Sequence, residues 1–410
     1  VRSSRFQQNQ NIFSERKVSL PNTLRILQLV QTLDPKVGGV APAVVELSRG
    51  IAERGHQVDV VTLDEDVVAA VADRGPASAT PATAHANFNI HALGAGLTSY
   101  RYSSKLRDWL RQHGGNYDRV IVNGLWQYIS FAVWQRYAGS ATPYFVFPHG
   151  MLDPWFKRTF PLKHLKKWLY WPWAEYRVLR DAAAVIFTSD EERLQARQSF
   201  WLYRCREKVS PLGINAPAAP SPGAIKAFLQ QFPALENKRA LLFLGRLHPK
   251  KGCDLLIDAF RKSNRENMAL ILAGPDQIGW EKELRSRAQQ LPVVFTGMLT
   301  GEAKQAAFAC ADAFILPSHQ ENFGISVVEA LALGVPVLIS NRVNIWREIE
   351  ADGAGYVETD DLDGTVRLIK RWIGTGEEDR ESMRANAKKC FSNRFEIHRA
   401  VDSFLEILEG

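Results

Sequence analysis

The chain has 410 residues, 46% of them hydrophobic and 23% charged, with a formal net charge of +7. That is ordinary globular composition at a length that favours two or three domains, each able to bury its own core. No apolar run reaches the roughly 18 residues of a transmembrane helix, and Cys205, Cys253, Cys310 and Cys390 are scattered without zinc-like or redox spacing, as reduced thiols would be.

Residues 1–21 are polar and basic (Arg2, Arg5, Arg16, Lys17) and lack the apolar core of a signal peptide, so they read as a poorly ordered leader on a cytoplasmic chain. Residues 24–30 predict a buried strand and residues 40–54 a helix stopped by Gly55. Residues 58–62, 89–93, 119–123, 144–147 and 183–188 continue the strands, with helical patterns between most of them. Pro211, Pro217, Pro220, Pro222 and Gly223 then mark a linker. The alternation restarts with strands at 240–244, 269–273, 293–296, 313–316 and 335–339, and residues 377–409 are mostly helical. Short apolar strands separated by helices predict α/β architecture with two doubly wound, Rossmann-like parallel sheets. Ligands bind such sheets outside the carboxyl ends of the strands, so two of them facing each other form a cleft.

The strongest local signal runs from Ser318 to Pro336 and contains Glu321, Asn322, Phe323, Gly324, Ile325 and Glu329. A strand ends before it and a helix starts near Gly324, whose free N–H groups and dipole suit a phosphate. Carboxylates accept hydroxyl hydrogen bonds, so Glu321 and Glu329 suit the diols of a ribose or hexose. The plainer alternative makes Glu321 a helix-dipole partner and Glu329 a solvated helix residue. The second signal is Gly245-Arg246-Leu247-His248-Pro249-Lys250-Lys251-Gly252. A cation directly after a strand and a glycine, with another five residues on, would offset a diphosphate, although Lys250 also fits a basic surface loop. In the first half, Gly38-Gly39 follows the first strand, where a backbone without side chains can approach a phosphate or sugar or simply form a flexible loop. His149 stands just past the strand at 144–147, the place of a ligand-binding residue, although a lone histidine is more often structural.

Taken together, the Gly245-Arg246-Leu247…Lys251-Gly252 loop, the Glu321/Glu329 pair and the trailing Ala-Leu-Ala-Leu-Gly-Val-Pro resemble glycosyltransferase family 4, retaining enzymes of the GT-B fold. The resemblance spans nearly the whole chain and is densest from about 240 to 345. It implies that residues 22–216 form an acceptor-side domain, 217–390 a nucleotide-sugar-binding domain, and 391–410 a helix packing back on the first. It further implies that Arg246 and Lys251 hold the donor diphosphate, Glu329 the ribose and Glu321 the transferred sugar. The backbone of Asn322 to Ile325 would lie against sugar and phosphate. Gly274-Pro275 would flank the nucleoside, and Thr296, Gly297 and Met298 the base. His149 would bond the sugar near the reaction centre, under the Gly38-Gly39 loop. Pro211-Leu-Gly-Ile-Asn215 resembles the family's hinge-side turn but departs from it at Leu212 and Asn215. The run from His149 to Trp155 resembles members that build bacterial surface polysaccharides.

The implied activity is retaining transfer of a hexose, with glucose from UDP-glucose as the single choice, to a hydroxyl of a glycan or lipid-linked acceptor. No cofactor is expected beyond the donor substrate. No metal is expected either, since no Asp-x-Asp pair stands ready to bridge Mg²⁺ to a diphosphate. Residues 151–180 interleave Lys157, Arg158, Lys163, Lys166, Lys167, Arg177 and Arg180 with Trp155, Trp168, Trp171, Trp173, Tyr170 and Tyr176, against Asp153 and Glu175 alone. That mixture suits an anionic membrane surface, or equally a helix with one aromatic buried face. An NAD-dependent oxidoreductase is the main rival for a doubly wound chain. Its support is Gly94-Ala-Gly96, but position 99 is Ser and no acidic ribose partner stands clearly placed. A non-catalytic nucleotide-sugar sensor would keep every donor contact, and an epimerase or phosphorylase would share the fold. Nucleic acid is disfavoured, because no recognition motif accompanies the positive charge.

Overall fold

The computed structural model describes residues 23–34, 39–65, 87–159, 161–263 and 267–410. The leader and Gly38 lie outside the described residues. The N-terminal sheet contains β1 (Arg25–Val30), β2 (Gln57–Thr62), β3 (Phe88–Ala92), β4 (Arg119–Asn123), β5 (Tyr144–Phe147), β6 (Ala184–Phe187) and β7 (Glu207–Val209). Its order is β3-β2-β1-β4-β5-β6-β7, all parallel. The second sheet contains β8 (Arg239–Leu244), β9 (Met268–Ala273), β10 (Val293–Gly297), β11 (Ala311–Leu316), β12 (Val337–Ser340) and β13 (Gly355–Glu358), in the order β10-β9-β8-β11-β12-β13 and again parallel. The two sheets share one winding. In each, the order reverses beside the first strand, between β1 and β4 and between β8 and β11, which opens a crevice at the carboxyl edge.

The central strands are apolar because both faces are covered by helices; all six residues of β9 are buried. The edge strands β7 and β13 escape the sequence pattern. Each is short and only partly buried, and each carries charged residues (Glu207, Lys208, Glu358) that an exposed edge tolerates. Pro222 and Gly223 do not belong to the linker. They open the helix Pro222–Gln231, with Ser221 as its cap and Pro at the first turn, where its missing N–H costs nothing. Gly94 and Gly96 lead into a hairpin closed by the Leu97–Tyr102 bridge, and the next helix starts only at Ser104. A Cβ at Gly96 would lie 2.5 Å from the Arg101 carbonyl oxygen, so this glycine serves a turn and not a phosphate-binding helix end.

The last helix, Ile397–Glu409, crosses back to the N-terminal domain. Ile397, Ala400, Val401, Phe404, Leu405 and Leu408 form its buried stripe. Val401 packs on Gly50 so closely that a Cβ there would sit 2.5 Å from its Cγ2. Phe404 stacks on Phe147 at 5.9 Å, and Arg54 pairs with Asp402 at 2.8 Å. Burial of the large side chains contributes roughly 1.5–3 kcal/mol each, so this helix clamps the two domains together. No helix among the described residues is long and apolar enough to cross a membrane.

Candidate active site

The C-terminal half of the site begins where β8 ends. The backbone after it passes so close to the loop after β9 that a Cβ on Gly274 would lie 1.8 Å from the Gly245 carbonyl oxygen. The tight approach is therefore at Gly274; a Cβ on Gly245 would meet only the Phe243 ring, at 3.6 Å. Leu247 N–H donates to Pro275 O at 3.0 Å and Gly274 N–H to Gly297 O at 2.8 Å, which draws 245–247, 274–275 and 297 into one edge. Met298 is exposed beside them. Arg246 is exposed, and its guanidinium reaches Gln277 Oε1 at 3.5 Å.

The short turn Pro249–Lys251 ends at Gly252 with φ +69°, where a Cβ would collide with Pro317 O at 2.4 Å. This contact lays the basic loop against the loop after β11. His319 N–H reaches Lys250 O at 2.9 Å, and Lys251 Nζ forms an ion pair with Glu321 Oε2. Burial, Lys250 and Arg246 pull the Lys251 ammonium down to about 7. The adjoining Glu321 carboxylate acts against that pull and keeps the ion pair. Lys250 is not a solvated loop cation. It lies over the Trp155 and Phe156 rings at 5.7 and 5.9 Å, and burial lowers it to about 8.

Gly324 takes φ +74° and starts the helix Ile325–Ala332 without a side-chain cap, leaving the first N–H groups facing the edge. Glu329 sits inside this helix and binds Lys304 Nζ at 2.6 Å. Phe323 turns inward and meets Phe395 edge-on at 5.7 Å, so only its backbone is available to a ligand. The sequence reading missed Lys304, whose helix carries no motif.

The N-terminal half supplies His149 in the left-handed region, φ +49°, an uncommon conformation for a residue with a side chain. In-register pairing of Val30, Asn123 and Phe147 ends β1, β4 and β5 at one level and places Asn123 beside it. His149 Nε2 lies 2.9 Å from Asn123 Oδ1. Asn123 Nδ2 donates to Gln28 Oε1 at 3.0 Å and Leu29 O at 3.3 Å, and Gln28 Nε2 donates to Ser48 Oγ at 2.8 Å. With its amide hydrogens committed, Asn123 Oδ1 accepts. The network thus assigns the proton to His149 Nε2 and leaves Nδ1 with its lone pair. The ring stacks on Phe147 at 4.2 Å, and burial pushes its pKa down to about 3. The polar Gln28 and Asn123, fully buried in apolar strands, were the available signal in the sequence.

The two halves meet around Gly150, Gly39 and Asn322. A Cβ on Gly150 (φ +77°) would sit 2.8 Å from Asn322, and one on Gly39 would sit 2.9 Å from Ile325 Cδ1. Asn322 Nδ2 bonds Thr188 Oγ1 at 3.2 Å, and Asn344 Nδ2 bonds Asn322 Oδ1 at 3.2 Å. Glu192 ties Thr188 and Gly150 together through both carboxylate oxygens, while burial raises its pKa. Arg347 and Glu191 add an ion pair at 2.8 Å. His149 and Gly39 are thereby held opposite the cations and the Gly324 helix end. At the hinge-side turn, Leu212 is buried and Asn215 Nδ2 bonds Glu46.

A diphosphate-sized anion, two diols and a sugar would find complementary groups along this cleft. The family model described as Glycosyl transferases group 1 matches residues 225–390, and the Glycosyl transferase 4-like domain matches residues 38–213. The chain is a family 4-type glycosyltransferase of the GT-B fold. The glycosyltransferase is 24% identical to the O-antigen chain mannosyltransferase C of Escherichia coli over 399 residues, covering 94% of this chain and 98% of that one. It is 25% identical, over 94% of its length and 96% of the relative's, to the GDP-mannose-dependent alpha-(1-6)-phosphatidylinositol dimannoside mannosyltransferase of Mycobacterium tuberculosis. Among solved structures, Anabaena HepE in complex with UDP and glucose superposes with a TM-score of 0.71 at 20% identity, over 93% of this chain and 98% of that one.

The aromatic, basic segment of the glycosyltransferase divides in two. Trp171 and Glu175 are fully buried and belong to the core, where Glu175 accepts from Trp126 N–H at 2.8 Å and from Ser130 Oγ. Burial pushes its pKa up to about 7. Asp153 is buried too and bonds the backbone N–H of Trp155 at 2.7 Å. The helix Pro161–Tyr170, by contrast, buries nothing fully, and exposes Leu162, Leu165, Trp168 and Leu169, with Trp173 just beyond.

Proposed function

We propose that the glycosyltransferase is a retaining hexosyltransferase that moves a hexose from a nucleoside diphosphate to a hydroxyl of a glycan or lipid-linked acceptor in surface-polysaccharide synthesis. The observation that carries the reading is the juxtaposition of Arg246, the Lys251–Glu321 pair and the Gly324 helix end with His149 across the cleft. Arg246 and Lys251 offset the departing diphosphate, Glu329 accepts from the ribose diol, and Glu321 accepts from the sugar. The acceptor oxygen attacks the anomeric carbon from the side the diphosphate leaves, the glycosidic C–O bond breaks, and the leaving phosphate oxygen takes the acceptor's proton. Its charge is met by fixed cations and a helix end, so no metal is required. The ion pair with Lys251 favours a positioning role for Glu321 over a nucleophilic one.

UDP-glucose is the first donor to test, a choice supported by the UDP and glucose bound to HepE. GDP-mannose is the second, because both long-range relatives are named mannosyltransferases. The exposed apolar side chains of the helix Pro161–Tyr170, interspersed with lysines, support peripheral contact with the inner face of a membrane. A thermal-shift panel of nucleotide sugars followed by a hydrolysis and transfer assay tests the reading. A shift with one sugar nucleotide and turnover in EDTA is expected; binding without turnover would leave a sensor, and a shift with NADH alone an oxidoreductase.

A further inference from the structure

A cavity of about 320 Å³ opens on the N-terminal domain, lined chiefly by Tyr100, Tyr102, Tyr128, Phe131, Tyr170 and Trp173. That is the lower end of the size of small-molecule sites, and an aromatic lining is typical of them. No lining side chain is charged or carries an amide. The hydroxyls of Tyr100 and Tyr170 bond each other, and burial raises both phenols. A sugar recognised here would need directional partners for its hydroxyls. Walls of rings, with two of the hydroxyls turned on each other, instead offer mainly apolar contact.

The position of the cavity narrows its ligand. Tyr128 opens the helix Tyr128–Tyr137, five residues beyond Asn123, which bonds His149. Tyr128 N–H donates to Tyr100 O at 2.9 Å, fastening the hairpin around Tyr102 to that helix start. On the other side, Tyr170 ends the exposed apolar helix, and Trp173 is 69% exposed. The cavity therefore bridges the reaction edge and the surface that presents Leu169, Trp173 and, on the hairpin, Leu97. A cation stands at its margin: the Arg177 guanidinium lies 5.8 Å from the Trp173 ring. Lys167, by contrast, is turned onto the Trp126 and Phe156 rings, which do not line the cavity. Apolar walls beside a cation complement an amphiphile with a hydrocarbon chain and an anionic head.

We propose that the cavity takes the head-proximal stretch of the hydrocarbon chain of a phosphate-bearing lipid acceptor, with the phosphate beside Arg177. This rests on the lipid-linked acceptor reading above. Its use would be positional, since a chain gripped here leads a head-group hydroxyl toward the edge that carries His149.

The probe is decyl phosphate with a dibrominated chain, titrated below its micelle concentration and without vesicles, with tryptophan quenching as the readout. Saturable quenching is expected in the intact protein. Tyr102→Ala, which removes a partly exposed wall, should weaken it at least fivefold. Arg177→Gln should weaken the phosphate but not the matching bromodecanol. Because Tyr102 is at the surface, a near-native melting temperature for Tyr102→Ala separates loss of the wall from loss of the fold. Absence of saturation, or equal affinity in both variants, would overturn the proposal. Two further arms isolate the reading beneath it. Lys163→Glu with Lys166→Glu should abolish sedimentation with anionic vesicles while leaving decyl phosphate binding intact, which supports a cavity independent of the membrane surface. Equal transfer to a decyl-phosphate-linked sugar and to the free sugar, with quenching intact, would remove the lipid acceptor and keep the hydrocarbon site.

Discussion

Lys251 and Glu321, 70 residues apart in sequence, form a partly buried ion pair between the loop after β8 and the loop after β11. The residues we propose for the diphosphate and for the sugar are thus held by one contact. Lys251→Ala should lower turnover by a factor of roughly 10²–10³, the scale for losing one preorganised electrostatic partner of a leaving group. It should also cost on the order of 3 kcal/mol of stability, because Glu321 is left without its counter-charge. Lys251→Met combined with Glu321→Gln should recover most of the stability and none of the activity, read by denaturant unfolding and transfer assays side by side.

Burial gives His149 a pH signature. His149 falls to about 3 in the native protein against 6.5 in an unfolded chain. Between those values the unfolded state binds a proton the native state refuses, so this group's contribution to stability declines as pH falls from 6.5 toward 3. His149→Gln should flatten that decline in a series of melting temperatures. Asn123→Asp should raise the His149 pKa, add an acidic limb near neutrality to the pH–rate profile, and shift the ring's nitrogen resonances; an unchanged profile would refute the tautomer lock.

Glu175 carries the opposite sign. Its pKa rises from 4.5 to about 7 on burial, so the native state keeps a proton that the unfolded state has lost, and stability declines as pH rises from 4.5 through 7. Glu175→Gln keeps an acceptor for Trp126 N–H and removes the charge. It should stabilise the protein at pH 8 by roughly 1–3 kcal/mol and leave it little changed at pH 5. Equal melting shifts at both pH values would show that the carboxyl does not titrate there.

Gly150 is where the domains touch. Gly150→Ala places a Cβ 2.8 Å from Asn322 at a backbone φ of +77°. The backbone strain alone costs about 1–2 kcal/mol, and the clash acts on the interdomain seam. We expect kcat/KM to fall at least tenfold with the fold retained, and small-angle scattering to report a wider interdomain separation. Asn322→Gly in the same chain should restore part of the activity by giving the methyl group room.

The C-terminal half of the candidate site was legible as a site because its charged groups are local. Gly245 to Gly252 and Ser318 to Pro336 each place strand end, loop and charged side chain within one short run, so spacing reports geometry. The N-terminal half was less legible for a physical reason. Asn123, Gln28 and Ser48 belong to three separate elements and meet only through sheet register and helix packing. The run at 151–180 suited a membrane surface or a helix with one buried aromatic face, and Trp171 points into the core, because a mixed basic and aromatic run does not state which face is buried.

The sequence by itself determined the two doubly wound halves and the family to which they belong, since strand and helix periodicity and contiguous loops encode both without distant contacts. Tertiary structure alone decided that Lys251 neutralises Glu321, that Lys304 holds Glu329, that His149 is neutral with its proton on Nε2, and that the tyrosines at 100, 102, 128 and 170 enclose one cavity. Each depends on side chains from separate elements meeting within a few ångströms. Sheet order, register and the clamping C-terminal helix bring them there, and no single stretch of chain records that meeting.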